Sequence, residues 1–183
     1  MRANAAICCK PGKFTTSGIL KLSIFLISFF ISVSSFAQRT YNQVSQIDFI
    51  VQETDSLSIK SQKTFHLNKF VGVDRPYKET WHYTERKGKV AVFEIRYMLD
   101  LTEYIEVYYL DGNRLILSEE YETSYSTEEE QLRWGGIFYF VNNNITQVAT
   151  LGRRKSYSRN WDFESEILSR FQKRFSELKR HIW

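Results

Sequence analysis

The stretch EYIEVYYLDGNRLILSEEYE, residues 103–122, gathers six carboxylates and four tyrosines around one Asp-Gly pair. Two facing carboxylates are what glycoside hydrolysis requires, about 5–5.5 Å apart for retention or about 6.5–9.5 Å for inversion. Glu106 with Glu119 or Glu120 could reach that range across paired strands, with Tyr104, Tyr108 and Tyr121 as surfaces on which a sugar ring stacks. The turn decides the partner: a two-residue turn places Leu117 and Glu119 on the face of Glu106, a three-residue turn Ser118 and Glu120. A plainer reading is a hairpin with one wet face. Alternation sets Ile105, Val107 and Tyr109 on one side and Tyr104, Glu106, Tyr108 and Leu110 on the other. A sheet covered by a helix on one side leaves such glutamates in water, with tyrosine hydroxyls reaching outward. Nothing in the sequence splits the carboxyl groups into an acid and a base, so no catalytic residue is assigned.

Other chemistry is sparse. His66, His82 and His181 show neither helical nor hairpin spacing, so no metal site is expected. The chain has no nucleophile-elbow serine, phosphate-cradling glycine loop or metalloprotease helix motif, and no cofactor is implied. Arg153, Arg154 and Lys155, followed by Tyr157, Arg159 and Trp161, form the best basic and aromatic cluster. Such a cluster grips nucleic acid in a cytosolic protein; in an exported one it suits an anionic envelope polymer, a lipid headgroup or an acidic partner.

Export is what the N-terminus predicts. A basic, acid-free leader (Arg2, Lys10, Lys13, Lys21) runs into LSIFLISFFISVSSF, a fifteen-residue apolar stretch over residues 22–36, followed by Ala37 with Ser35 two positions before it. Basic region, short apolar core and small residues at the cleavage point make a secretory signal peptide, residues 1–37, cut after Ala37. A retained anchor is the rival reading, but a span takes about 20 apolar residues. Cleavage leaves 183 − 37 = 146 residues as one domain, 38–183, with 21 bases and 21 acids. The overall pI near 9.0 thus reports the leader and gives no ground for nucleic-acid binding. Cys8 and Cys9 leave with it, so neither disulfide nor thiolate metal site is available, and a core must suffice. A domain of this size buries about 68–70% of its unfolded surface.

The elements that position these residues follow from periodicity. Tyr41, Val44, Ile47, Ile50, Val51 and Leu57 predict an amphipathic helix to about Lys60. TFHLNKFVGVDRPY reads as an irregular connection, followed by about six strands of an antiparallel meander, with turns at Asp111-Gly112 and Asn142-Asn143-Asn144. Phe163, Ile167, Phe171, Phe175, Leu178 and Ile182 form one apolar stripe of a C-terminal helix capped by Asp162, which must pack on the sheet. Its basic face, Arg170, Lys173, Arg174 and Lys179, either extends the basic patch or answers the acidic sheet within the molecule. The fold class expected is α+β. A helix, aromatic strands ending in YYLDG, then RLIL, GIFYF and a closing amphipathic helix resemble a loose class of exported Gram-negative envelope proteins with no established activity. That resemblance implies fold and periplasmic or secreted location, and carries no functional residue. The function expected is non-enzymatic binding of another envelope or secreted protein, through Tyr104, Tyr108, Trp134 and the Arg153–Lys155 cluster. Aromatics and arginine are what interfaces enrich.

Overall fold

Turn chemistry sets the frame. Lys87-Gly88, Gly112-Asn113 and Asn142-Asn143 each link two strands as a two-residue turn, and five of these six residues have the positive φ that such turns need. The strands they join are β1 (Lys63–Val71), β2 (Arg75–Arg86), β3 (Lys89–Leu99), β4 (Thr102–Asp111), β5 (Arg114–Tyr125), β6 (Glu130–Val141) and β7 (Asn144–Gly152). All pair antiparallel with their sequence neighbours, in one sheet of order 1-2-3-4-5-6-7. Helix α1 (residues 42–61) precedes them and α2 (Phe163–Ile182) follows. These features come from a computed structural model that describes residues 42–72, 75–125, 130–152 and 162–183.

The sheet has seven strands rather than about six. The additional one is β1, which lies within the segment expected to be an irregular connection. Its Phe65 and Leu67 face the core while Thr64, His66 and Asn68 alternate outward, a weak pattern because it belongs to an edge. Pro76 sits opposite Phe70 at the start of β2, where a missing N–H costs the ladder least.

Both faces of the sheet are covered, which corrects the expectation of one wet face. On one side Ile47 of α1 joins Val92, Val107, Tyr109, Ile116 and Leu117 in a core, with Ile50, Val51 and Ile105 packed against it. Two phenols clip α1 down: Tyr109 donates to Asp55 and Tyr139 to Asp48, each at 2.9 Å. On the other side Ile167, Phe171, Phe175 and Leu178 of α2 bury against Trp81, Phe93, Tyr108, Phe138 and Phe140. The α2 start is fixed as predicted: Asp162 caps by accepting from the Ser165 N–H at 3.3 Å, Glu164 and Glu166 occupy the first turn, and Lys179, Arg180 and His181 the last.

Helix α2 lies across the strands. Its Arg170 meets Glu120 on β5, Phe171 meets Phe93 and Tyr108 on β3 and β4, Glu177 meets Lys69 on β1, and His181 stacks on Phe65 of β1. From residue 170 to 181 a helix advances about 16 Å, close to the roughly 19 Å between five adjacent strands. Among the described residues no helix is long and apolar enough to cross a membrane.

Candidate functional site

The register of the acidic hairpin is decided by a bulge, not by turn length. Asp111 pairs with Arg114, leaving a two-residue Gly112-Asn113 turn that alone would put Glu119 opposite the face of Glu106. Leu110 pairs with Leu115 but Tyr109 with Leu117, so Ile116 is an extra residue and the face flips. Glu106 therefore stands directly across from Glu120 on the α2 side, and Glu119 points to the α1 side, where it accepts from Tyr121 at 2.9 Å.

The register builds two rows of side chains under α2. One runs Trp81, Ile95, Glu106, Glu120, Gly136; the next runs Glu79, Tyr97, Tyr104, Glu122, Trp134. Glu79, Glu106 and Glu120 are 0%, 3% and 2% exposed, so their carboxylates lie in the interior of the domain. Buried charge survives only when paired and hydrogen-bonded. Two arginines one helical turn apart on α2 supply the pairing. Arg174 donates to Glu79 at 2.8 Å and straddles both oxygens of Glu106 at 3.2 Å each, with its guanidinium over the rings of Trp81 and Tyr97. Arg170 lies 2.9 Å from Glu120 Oε1 and 2.9 Å from Glu166. Its N–H is poorly aimed at that Glu120 oxygen, so the contact is charge to charge rather than a directed hydrogen bond. Tyr108 (2.9 Å) and Tyr97 (3.2 Å) donate to Glu106, and Trp81 Nε1 donates to Glu79 at 3.0 Å.

Titration follows from this geometry. Burial pushes the Glu106 carboxyl up, but the Arg174 charge and its two hydrogen bonds, with help from Arg170 and Tyr108, outweigh it and hold the group below its ordinary value. Burial and the adjoining Glu106 push the Tyr97 and Tyr108 phenols well up, so both remain donors. On the opposite face burial raises Glu119, against the Tyr121 hydrogen bond and with Asp55 and Glu94 adding repulsion.

The structure thus brings Glu106 and Glu120 together, as the two-carboxylate reading requires, but as salt-bridge partners of arginines beneath a helix. A glycosidase pair needs one protonated acid, one free base and room for sugar and water. This layer instead clamps α2 onto the sheet. The basic face of α2 does answer the acidic sheet, through Arg170 and Arg174, while Lys173 is exposed.

The expected contact residues divide. Tyr108 and Trp134 lie in the core, 0% and 1% exposed, and cannot reach a partner from the folded domain. Tyr104 is half-buried, stacked on Tyr97 with centroids 5.2 Å apart. Arg153, Arg154 and Lys155 lie outside the described residues. Among those described, no group of three or more metal-ligating side chains forms. His66 and His82 lie diagonally across the β1–β2 hairpin, a placement their spacing in sequence did not suggest; His82 bonds Thr64 at 2.8 Å and His66 bonds Thr80 at 3.2 Å.

Tyr104 lines a depression of about 490 Å³ at the end of the sheet where β1, β3 and β5 end and β2 and β4 begin. Val71, Leu101, Ser124, Tyr125 and Arg133 share it. Its walls are tied together: Arg75 pairs with Asp100, the Tyr125 N–H donates to the Leu101 carbonyl at 2.8 Å, and the Tyr125 hydroxyl donates to Glu103 at 2.9 Å. Arg133 is the extra residue of a bulge between Leu132 and Trp134. Gly152 of β7 crosses its backbone so closely that an added Cβ would lie 2.0 Å from the Arg133 carbonyl oxygen. Sequence reading missed this residue; a bulge has no sequence signature here beyond the Gly135-Gly136 pair that follows. No protein-family model, curated protein or solved structure matches the chain.

Proposed function

We propose that the chain is an exported, non-enzymatic binding domain that engages another envelope or secreted protein at the Tyr104 depression. The observation that carries this reading is where large apolar side chains stay in water. Val71 and Leu101, exposed among the described residues, line the depression beside the exposed guanidinium of Arg133, and Phe70 and Met98 are exposed at the same ends of β1 and β3. Clustered apolar surface with a polar rim marks a contact site, whereas scattered single residues do not. Export rests on the leader with its short apolar run and Ala37 cleavage point. The burial of Glu106 and Glu120 favours binding over the carbohydrate-hydrolase alternative, since both carboxylates are committed to holding α2.

The test is in-cell crosslinking of the tagged chain, followed by mass spectrometry, in parallel with a variant carrying Leu101→Ser, Tyr104→Ala and Arg133→Glu. One dominant protein should be captured by the parent and lost from the variant, with far-ultraviolet circular dichroism unchanged. Equal capture by a folded variant would sink the proposal, and captured glycans without protein would return attention to the hairpin.

A further inference from the structure

An edge strand presents unpaired N–H and C=O groups, and natural sheets guard it with lysine, proline, a bulge or a covering element. The two edges of this sheet are treated differently. β1 carries Lys63 and Lys69, ion-paired with Glu85 and with Glu177 of α2. β7, NITQVATLG, carries no charge and no proline; every residue except Ile145 is exposed, including Val148 and Leu151, and no described strand pairs with its outer side.

The strand's irregularities define which part is free to pair. Tyr139 pairs with Gln147 and Phe140 with Ile145, so Thr146 is a bulge at one end. At the other end Gly152 leaves extended geometry, with φ +77. Between them runs a straight segment, Gln147–Leu151, whose midpoint is Ala149.

We infer that β7 pairs antiparallel with β7 of a second copy about a two-fold axis at Ala149, joining two seven-stranded sheets into one. A two-fold pairing that uses the whole straight segment must centre there, since a single surface then meets itself. Side-chain chemistry fits that register. On the α2 side Val148 falls opposite Thr150 of the second copy, twice, a β-branched pair of the kind that stabilises cross-strand contacts. On the α1 side Gln147 falls opposite Leu151 of the second copy, flanking the two alanines. Leu132, also exposed, reaches over Gly135, the residue paired with Leu151, and widens the apolar strip behind it. The absence of charge lets the strand tolerate itself, where β1 would set lysine near lysine.

Sedimentation of the full chain over a hundred-fold concentration range tests the assembly. The expected result is a dimer mass that becomes monomeric in the Val148→Lys, Thr150→Lys double variant, where like charges face each other twice. The Val148→Lys, Thr150→Glu variant should restore the dimer, because the same positions then carry opposite charges. Register is read by Ala149→Cys: two residues opposite each other in an antiparallel pair bring Cβ atoms about 4.5–5.5 Å apart, within reach of a disulfide, so mild oxidation should link two chains. Leu151→Cys should not link. A parent that stays monomeric throughout overturns the inference, as does a dimer indifferent to the paired lysines. A monomer that crosslinks through β7 only to a different protein overturns the second copy as occupant.

Discussion

Replacing Arg174 by methionine tests whether the charged layer beneath α2 holds the domain together. Methionine keeps much of the stem's volume and removes three short contacts, one to Glu79 and two to Glu106. Both glutamates stay buried, Glu79 with the Trp81 indole and Glu106 with two phenols, but neither keeps its guanidinium. Removing one partner of a buried ion pair costs about 3–5 kcal/mol, because the remaining charge is uncompensated. For a domain of this size that lowers Tm by roughly 10 °C. The pH dependence makes the cause identifiable. In the parent, Glu106 titrates below its unfolded value, so its contribution is fully present above that value, about 4.3, and is lost as pH falls through the depressed folded pKa. In the variant, burial acts without Arg174, the folded pKa rises above the unfolded one, and the penalty shrinks as pH falls through that raised value. The difference between the two proteins, measured by urea unfolding, should be largest near neutrality and narrow toward pH 4. Adding Glu79→Gln and Glu106→Gln to the variant should recover most of the loss. A deficit below about 1 kcal/mol at pH 7, or one that ignores pH, would refute the clamp.

Two further outcomes follow from single sites. Burial raises the Glu119 carboxyl, so its ionised form disfavours folding at neutral pH; Glu119→Gln should stabilise there, the gain fading as pH falls through the raised folded pKa toward the unfolded one, which urea midpoints across that range will read. Gly152→Ala should cost more than Gly112→Ala, because both residues have positive φ, worth about 1–2 kcal/mol each, but only at Gly152 would the new Cβ strike a carbonyl oxygen; equal Tm losses would refute the close approach.

Sequence revealed the local and missed the remote. Helix α2 was legible because its stripe, cap and end charges lie within a few residues of one another, and the two faces of β4 followed from alternation alone. β1 was hidden because an edge half in water alternates weakly. The hairpin register was hidden because nothing in RLIL marks Ile116 as the extra residue, and that one residue exchanges Glu119 for Glu120 beside Glu106. The glutamates read as wet because their partners, Arg170 and Arg174, lie 50 to 95 residues further along the chain. Tyr108 and Trp134 read as surface aromatics for the same reason: the helix that covers them follows both in sequence. The Tyr104 depression is assembled from the ends of several strands and was not visible in any one of them.

The position of α2 in the chain has a consequence for how the molecule comes into being. Every strand pairs with its immediate neighbour, so the meander can zip up progressively as polypeptide emerges from a ribosome. The helix that neutralises Glu79, Glu106 and Glu120 emerges after all seven strands. Until then that surface of the nascent sheet carries three acids without their arginine partners and aromatics without their cover. The arginines that pair with these acids are thus among the last parts of the domain to become available.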